Sequence, residues 1–238
     1  MAGVGSGLAD LLYPRDCVCC GQPAGESLRW FCEDCALAMP LTAGRPCCAL
    51  CGRVFEGLVS VGRVCPGCSE LKAGWGRGAT LLQYSGPGES LVRGLKFHGL
   101  RCLLGDVGRI LHGRLDVLDM LRGAVLVPVP LHAVRQRERG YNQSLWLAQV
   151  FANEAGASCR ELLVRTRDTG TQTALGREER LKNMRGAFAL RQAVKIHPQQ
   201  SYVLVDDVIT TGATLDACAS ALLRAGAASP AVLTLAHA

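Results

Sequence analysis

Asp206 and Asp207 close an apolar run, Tyr202 to Val205, and are followed at once by Val208-Ile-Thr-Thr-Gly-Ala-Thr214 and a helical pattern. Adjacent carboxylates repel each other, and a strand end is a poor place to keep them for stability alone. Their chemistry is that of paired hydrogen-bond acceptors or of a cation site. The loop behind them offers successive backbone N–H groups and the hydroxyls of Thr210, Thr211 and Thr214. Gly212 permits a tight turn, and the helix expected from Leu215 aims its positive end at the loop. That nest suits a phosphate monoester, and the acids beside it suit the vicinal hydroxyls of a ribose, with Mg²⁺ as a companion. The ligand so described is a ribose 5-phosphate. An acid pair alone is more often a solvated turn; strand, acids, Thr-Thr-Gly and helix in immediate succession carry the reading. No GxxxxGK[ST] occurs, which excludes a nucleoside-triphosphate P-loop as far as motif goes.

A second chemistry is carried by thiols. The chain has 13 cysteines, eight of them in four CxxC pairs: Cys17/Cys20, Cys32/Cys35, Cys48/Cys51 and Cys65/Cys68. Each half of this region repeats a CxxCG turn, a spacer and a second CxxC. A CxxC turn puts two sulfurs on one side of a knuckle, and four thiolates make a tetrahedral zinc site without an open position for catalysis. Cys17, Cys20, Cys32 and Cys35 form one natural set, and Cys48, Cys51, Cys65 and Cys68 another, although spacing alone also allows the knuckles to interleave. Cys19 and Cys47 stand beside ligands and are alternatives to them. Cys102, Cys159 and Cys218 are expected to be buried small hydrophobes.

These groups need elements to hold them. Residues 1–72 form a Cys- and Gly-rich module with few periodic segments. From about Trp75 the composition changes, and residues 73–238 alternate strands with helices. Strands are expected at 79–85, 124–130, 161–166, 202–207 and 231–236. Helices are expected at 89–97, 102–122, 142–154 and 215–224, with Gly105, Gly108 and Gly113 weakening the second. Short apolar strands separated by helices predict an α/β fold, a parallel sheet with helices on both faces, whose ligands sit at the carboxyl ends of the strands.

Composition sets further limits. The 238 residues carry a formal charge of +6, a weak preference for anionic partners. No apolar run approaches the roughly 18–20 residues of a membrane span, so no membrane insertion is expected. The first residues lack a basic start and an apolar core, and CxxC thiols without an export signal point to a reducing, cytoplasmic setting.

The run Val203 to Thr214 resembles the phosphoribosyl pyrophosphate (PRPP) signature of type I phosphoribosyltransferases. The resemblance implies a phosphoribosyltransferase-like sheet. It also implies a PRPP site at Asp206, Asp207, Val208, Thr210, Thr211, Gly212, Ala213 and Thr214, the acids on the ribose hydroxyls and the loop on the 5′-phosphate. The runs 127–148, with Arg139-Gly-Tyr-Asn-Gln-Ser144, and 163–188, together with Leu95 to Gly99 and the CxxC-rich start, resemble the ComF/GntX family over nearly the whole chain. That resemblance implies a double zinc ribbon over 1–72, structural zinc, Mg²⁺ with PRPP, and a role in natural competence or the use of incoming DNA. Single-stranded DNA and a DNA-translocating helicase would be the partners.

Two basic segments complete the reading. Arg135, Arg137 and Arg139 follow the strand that ends at Pro130, and forked guanidinium groups suit a pyrophosphate; Arg137 and Arg139 are the chosen pair. The Arg-rich run 165–185 is expected to close over the site or to track a DNA backbone. The nucleophile's half of a transfer reaction is missing. Purine phosphoribosyltransferases place an acid where Thr210 stands and often a lysine where Ala213 stands, and Thr cannot exchange a proton at neutral pH. A PRPP-binding module and an active phosphoribosyltransferase with another nitrogenous acceptor both remain open.

Overall fold

The computed structural model describes residues 15–57, 60–71, 73–167, 184 and 186–238. Five strands form one all-parallel sheet in the order β1-β7-β6-β2-β3: β1 Arg77–Gln83, β2 Val125–Pro128, β3 Ser158–Cys159, β6 Tyr202–Ile209 and β7 Ala231–His237. The expected strand at 161–166 does not join it. Leu163–Arg165 (β4) pairs antiparallel with Phe188–Leu190 (β5) in a separate two-stranded ribbon. The sheet's edge is instead the two-residue β3, too short to leave a periodic trace in sequence. Two short helices, α1 (Glu33–Leu37) and α2 (Pro66–Leu71), lie in the cysteine module.

Each strand alternates its side chains between two faces, so each face has its own core. Val203, Val205 and Leu233 point into one. There they meet Leu91 and Leu95 of α3 (Gly86–Phe97), Val107 and Leu111 of α4 (Leu104–His112), Leu121 of α5 (Leu115–Leu121), and Leu147 and Phe151 of α7 (Gln143–Ala155). Leu204 and Val232 point into the other, against Leu215, Cys218 and Leu222 of α8 (Ala213–Arg224) and Phe188 of β5. Burial of each such side chain stabilises by about 1.5–3 kcal/mol. The helix expected over 102–122 is broken at Gly113. Arg114 turns inward there, donating to Thr80 O at 3.0 Å and to Thr42 Oγ1, and pairing with Asp116.

The cysteine module shares this core. Cys17, Leu28, Phe31 and Met39 belong to the first face, and Cys48, Cys51, Cys65 and Cys68 to the second. The chain between the two cysteine sets runs along β1, where Thr42 N bonds Leu81 O at 3.0 Å and Gln83 N bonds Pro40 O at 2.9 Å. It covers an edge that would otherwise expose unpaired backbone groups. The second set is strapped to the neighbouring residues. Ala49 O accepts from Gly78 N at 2.8 Å, Leu50 O from Trp75 Nε1 at 2.5 Å and Cys51 O from Thr80 Oγ1 at 2.8 Å. Gly52 makes this approach possible: its φ is +72°, and a Cβ there would lie 2.3 Å from Thr80 N. Buried Asp106 of α4 fastens the first set by accepting from the backbone N–H groups of Arg29 and Trp30 at 2.6 and 2.9 Å. No helix among the described residues is long and apolar enough to cross a membrane.

Candidate functional site: an acid pair at a strand end, and two thiolate clusters

The register explains why the acids are accessible. β2 pairs with β6 only as far as Pro128 opposite Val205, whereas β7 continues beside β6 to Ile209. From Asp206 onward β6 has lost its neighbour on one side. The gap is walled by Val129 to Leu131, by α6 (Ala133–Arg139) and by the start of α7, leaving an open cleft at the carboxyl edge of the sheet. Asn142 sets that wall. Its side chain caps α7 by accepting from Ser144 N at 3.0 Å and donates to Val129 O at 3.1 Å, tying the helix start to the end of β2.

The first two residues of α7 then hold the acids. Ser144 Oγ donates to Asp206 Oδ1 at 2.9 Å, and Gln143 Nε2 donates to Asp207 Oδ2 at 2.9 Å. Lys96 Nζ of α3 lies 3.3 Å from the same Asp207 oxygen. Asp206 Oδ1 also accepts from Asp207 N at 2.9 Å, and the second oxygen of Asp207, Oδ1, accepts from Val208 N at 2.7 Å. Arg139 Nη1 donates to Gln143 Oε1 at 2.7 Å, which orients that amide so that its NH₂ faces Asp207. Asp207 is buried and Asp206 partly so. Burial and the adjacent charge of Asp207 push the Asp206 carboxyl up to about 7, against the pull of Ser144, the Asp207 amide and Lys96.

The cleft is strongly cationic. Lys96, Arg135, Arg139 and Arg165 line it beside the two acids, Val208 and Thr214. Arg135 and Arg139 are four apart on α6 and share a face, whereas Arg137 is exposed and not among the lining residues. The helix separates them, since residues two apart point to nearly opposite sides of it. The loop residues are also divided. Thr210, Thr211 and Gly212 line a smaller cavity on the far side of the loop, with Arg53, Cys51, Cys65, Cys68 and His237, while Ala213 is buried at the start of α8. Gly212 has φ +77°, and a Cβ on it would press on Leu71 and Trp75 at 3.0 and 3.1 Å. The cysteine module therefore forms the back wall of the loop expected to hold a phosphate. Arg177, Arg180, Lys182 and Arg185 lie outside the described residues.

Gln143 and Ser144 stood in the sequence as part of the Arg139-to-Ser144 run, without a role. Lys96 stood only within Leu95 to Gly99. Nothing local marks these residues as partners of acids more than 60 positions away.

The thiols assemble as two sequential groups, Cys17, Cys20, Cys32 and Cys35, and Cys48, Cys51, Cys65 and Cys68, each with its sulfurs within 4.8 Å of one another. A tetrahedral ion with Zn–S bonds of about 2.3 Å requires S···S edges near ~3.8 Å. The edges Cys20···Cys32 at 3.6 Å and Cys51···Cys65 at 3.7 Å match. Cys65 N also donates to Cys48 Sγ at 3.3 Å, a hydrogen bond that favours a thiolate. Both groups fit a structural zinc ion. The knuckles do not interleave, and Cys19 and Cys47 stand outside both sets. Cys218 is buried as expected, whereas Cys102 is exposed.

Residues 8–69 match the model of a double zinc ribbon domain. Competence protein F of Haemophilus influenzae is 30% identical over 183 residues, covering 74% of this chain and 79% of its own. The DNA utilization protein YhgH of Salmonella typhimurium is 32% identical over 225 residues, covering 92% and 95%, and that of Escherichia coli K12 is 33% identical over 226 residues, covering 85% and 93%. Among solved structures, a hypoxanthine phosphoribosyltransferase from Staphylococcus aureus overlaps 58% of this chain and 62% of its own at 11% identity, with a TM-score of 0.33. With a double zinc ribbon packed on a parallel sheet and close to a third identity across most of these relatives, the chain belongs to the ComF/GntX family, that of competence protein F and the DNA utilization protein YhgH.

Proposed function

We propose that the cleft binds a phosphoribosyl ligand, PRPP or the ribose phosphate of a nucleotide end, and that the protein uses it in the uptake or use of DNA. The observation that carries this reading is the pair Asp206 and Asp207, held at the open end of β6 by a hydroxyl, an amide and an ammonium group. Those donors occupy the acceptor sites that vicinal ribose hydroxyls would take. The surrounding cations, Arg135, Arg139 and Arg165, are suited to a pyrophosphate, and Thr214 with the opening amides of α8 to a 5′-phosphate. Mg²⁺ would accompany PRPP, with the acid pair as this chain's anionic donors for it.

Binding is favoured over group transfer. Among the described residues no carboxylate other than Asp206 and Asp207 lines the cleft, and Thr210 lies on the ribbon side of the loop. Among the described residues, no general base for an acceptor stands beside the ribose site apart from the acid pair itself. The relatives are named for competence and DNA utilization, and the charge of +6 suits a phosphate backbone; single-stranded DNA and a helicase are the partners that the family resemblance adds to this proposal.

Calorimetry with PRPP and Mg²⁺ tests the pocket. Saturable binding lost in Asp206→Asn and Asp207→Asn is expected, and absence of binding to the zinc-loaded protein would remove the proposal. Pyrophosphate release measured across a panel of bases and single-stranded DNA tests the choice between binding and transfer; acceptor-dependent release abolished by the same substitutions would make the protein an enzyme.

A further inference from the structure

The strongest unexplained feature outside the acid pair is an exposed aromatic ring. Phe97, the last residue of α3, is 58% exposed, and three cations crowd it: Arg93, Lys96 and Arg139 each lie 5.9 Å from its centroid. Cation–π contacts at exposed sites are individually weak, and three like charges around one ring repel one another. Glu89 pairs with Arg93 at 3.6 Å and Asp207 with Lys96 at 3.3 Å, but among the described residues no carboxylate pairs with Arg139. Stability does not account for such a group; an anion carried on a flat ring does.

The ring is held in place by residues that do nothing else in the site. Tyr141 stacks on Trp146 with centroids 4.3 Å apart and planes 13° apart, and Arg101 lies over the Trp146 ring at 5.0 Å. These two rings are thereby already engaged. Tyr141 Oη donates to Lys96 O at 3.1 Å and fixes the end of α3, the point from which Phe97 projects. Gly99, at φ +63°, lets the Tyr141 ring come close, since a Cβ there would lie 3.2 Å from it. Two side chains connect the ring to the acids. Lys96 touches both Phe97 and Asp207, and Arg139 touches both Phe97 and Gln143, which holds Asp207.

We propose that Phe97 is a stacking platform for an unpaired nucleobase whose phosphate is taken by Arg93 and Arg139, on the rim of the ribose site. A base offers a π-face to the ring, its phosphate offers the missing negative charge, and a duplex offers neither face. The placement beside the acids rests on the phosphoribosyl reading; the ring and its cations do not. The base arrives either as part of a single strand or as a free nucleotide, and the chemistry is shared.

The test uses the full-length, zinc-loaded protein and the fluorescence of 2-aminopurine, which is quenched on stacking. One probe is a short oligothymidylate carrying one 2-aminopurine, another is 2-aminopurine deoxyriboside 5′-monophosphate, and a third is the oligonucleotide in duplex form. The single strand, the mononucleotide or both are expected to bind with quenching, and whichever binds more tightly identifies the source. Phe97→Leu, at a position exposed enough to leave the fold intact, is expected to weaken that binding roughly 5- to 150-fold, the range for one base–aromatic stack, and Phe97→Trp to retain it. PRPP binding by Phe97→Leu should stay within twofold of the parent. Unchanged oligonucleotide and mononucleotide binding in Phe97→Leu, equal binding of the duplex, or no binding of any probe overturns the platform, the last leaving a protein partner for the ring. Phe97-dependent quenching in a protein that fails to bind PRPP would keep the platform and remove the phosphoribosyl reading alone.

Discussion

Replacing Asp206 by asparagine should make the ligand-free protein more stable at pH 8 while destroying its ligand site. The folded protein holds the Asp206 carboxyl at about 7 against an ordinary value of 3.8, because burial and Asp207 both oppose its charge. A folded value above the unfolded one means that the folded state binds the proton more tightly. The contribution is therefore favourable below about pH 4 and is lost progressively as the pH rises through 7. Each pKa unit of the difference corresponds to about 1.4 kcal/mol, so an ionised Asp206 costs the fold up to about 4 kcal/mol. Asparagine keeps an oxygen to accept from Ser144 and the Asp207 amide but carries no charge. A gain of about 2–4 kcal/mol follows at pH 8, or roughly 5–10 °C in melting temperature for a chain of this size. Thermal melts of the two proteins from pH 4.5 to 8.5 provide the assay. The melting temperatures should converge at the acid end and separate through pH 6–7. Equal or lower stability of Asp206→Asn at pH 8 would refute the idea that this carboxylate is kept ionised at the expense of the fold for the sake of a ligand.

The same proton should appear in binding. If PRPP hydroxyls need an ionised Asp206, affinity should rise about tenfold per pH unit below 7 and flatten above it; calorimetry in two buffers of different ionisation enthalpy should count close to one proton released at pH 6. Metal analysis should find two zinc ions per chain and one in either Cys17→Ser or Cys65→Ser, with PRPP affinity falling further in Cys65→Ser because its cluster backs the Thr210–Gly212 loop. Gly52→Ala forces a Cβ against Thr80 N and a left-handed backbone, and should cost about 2–4 kcal/mol in chemical denaturation; a neutral result would mean that the knuckle does not sit so closely on β1.

What was legible in the sequence was whatever depends on neighbours along the chain. Tyr202 to Thr214 contains its strand, its acids, its turn and its helix within thirteen residues, so its local conformation and its chemistry are both written there. The CxxC turns are equally local, whereas their grouping into two sequential sets is decided by how the knuckles pack. The errors fall where periodicity is short or packing decides. Leu163–Arg165 has the composition of a sheet strand, yet it pairs with Phe188–Leu190 because the two-residue Ser158–Cys159 takes the edge of β2. The helix Ala133–Arg139 has no periodic signal of its own in the sequence, and it turns Arg137 away from the side that Arg135 and Arg139 share.

By itself the sequence determined the acid pair, the four CxxC knuckles and the parallel α/β architecture, since backbone propensity, side-chain alternation and ligand spacing act over a few residues. Only the tertiary structure decided what surrounds them. Early termination of β2 opens the space beside Asp206, the start of α7 delivers Gln143 and Ser144 from 64 and 62 residues away, and Lys96 arrives from α3. The cysteine module, separate in composition, is divided between the two faces of the sheet, and its second cluster becomes the wall of the loop. Such contacts depend on where whole elements pack, and no short window of residues contains that information.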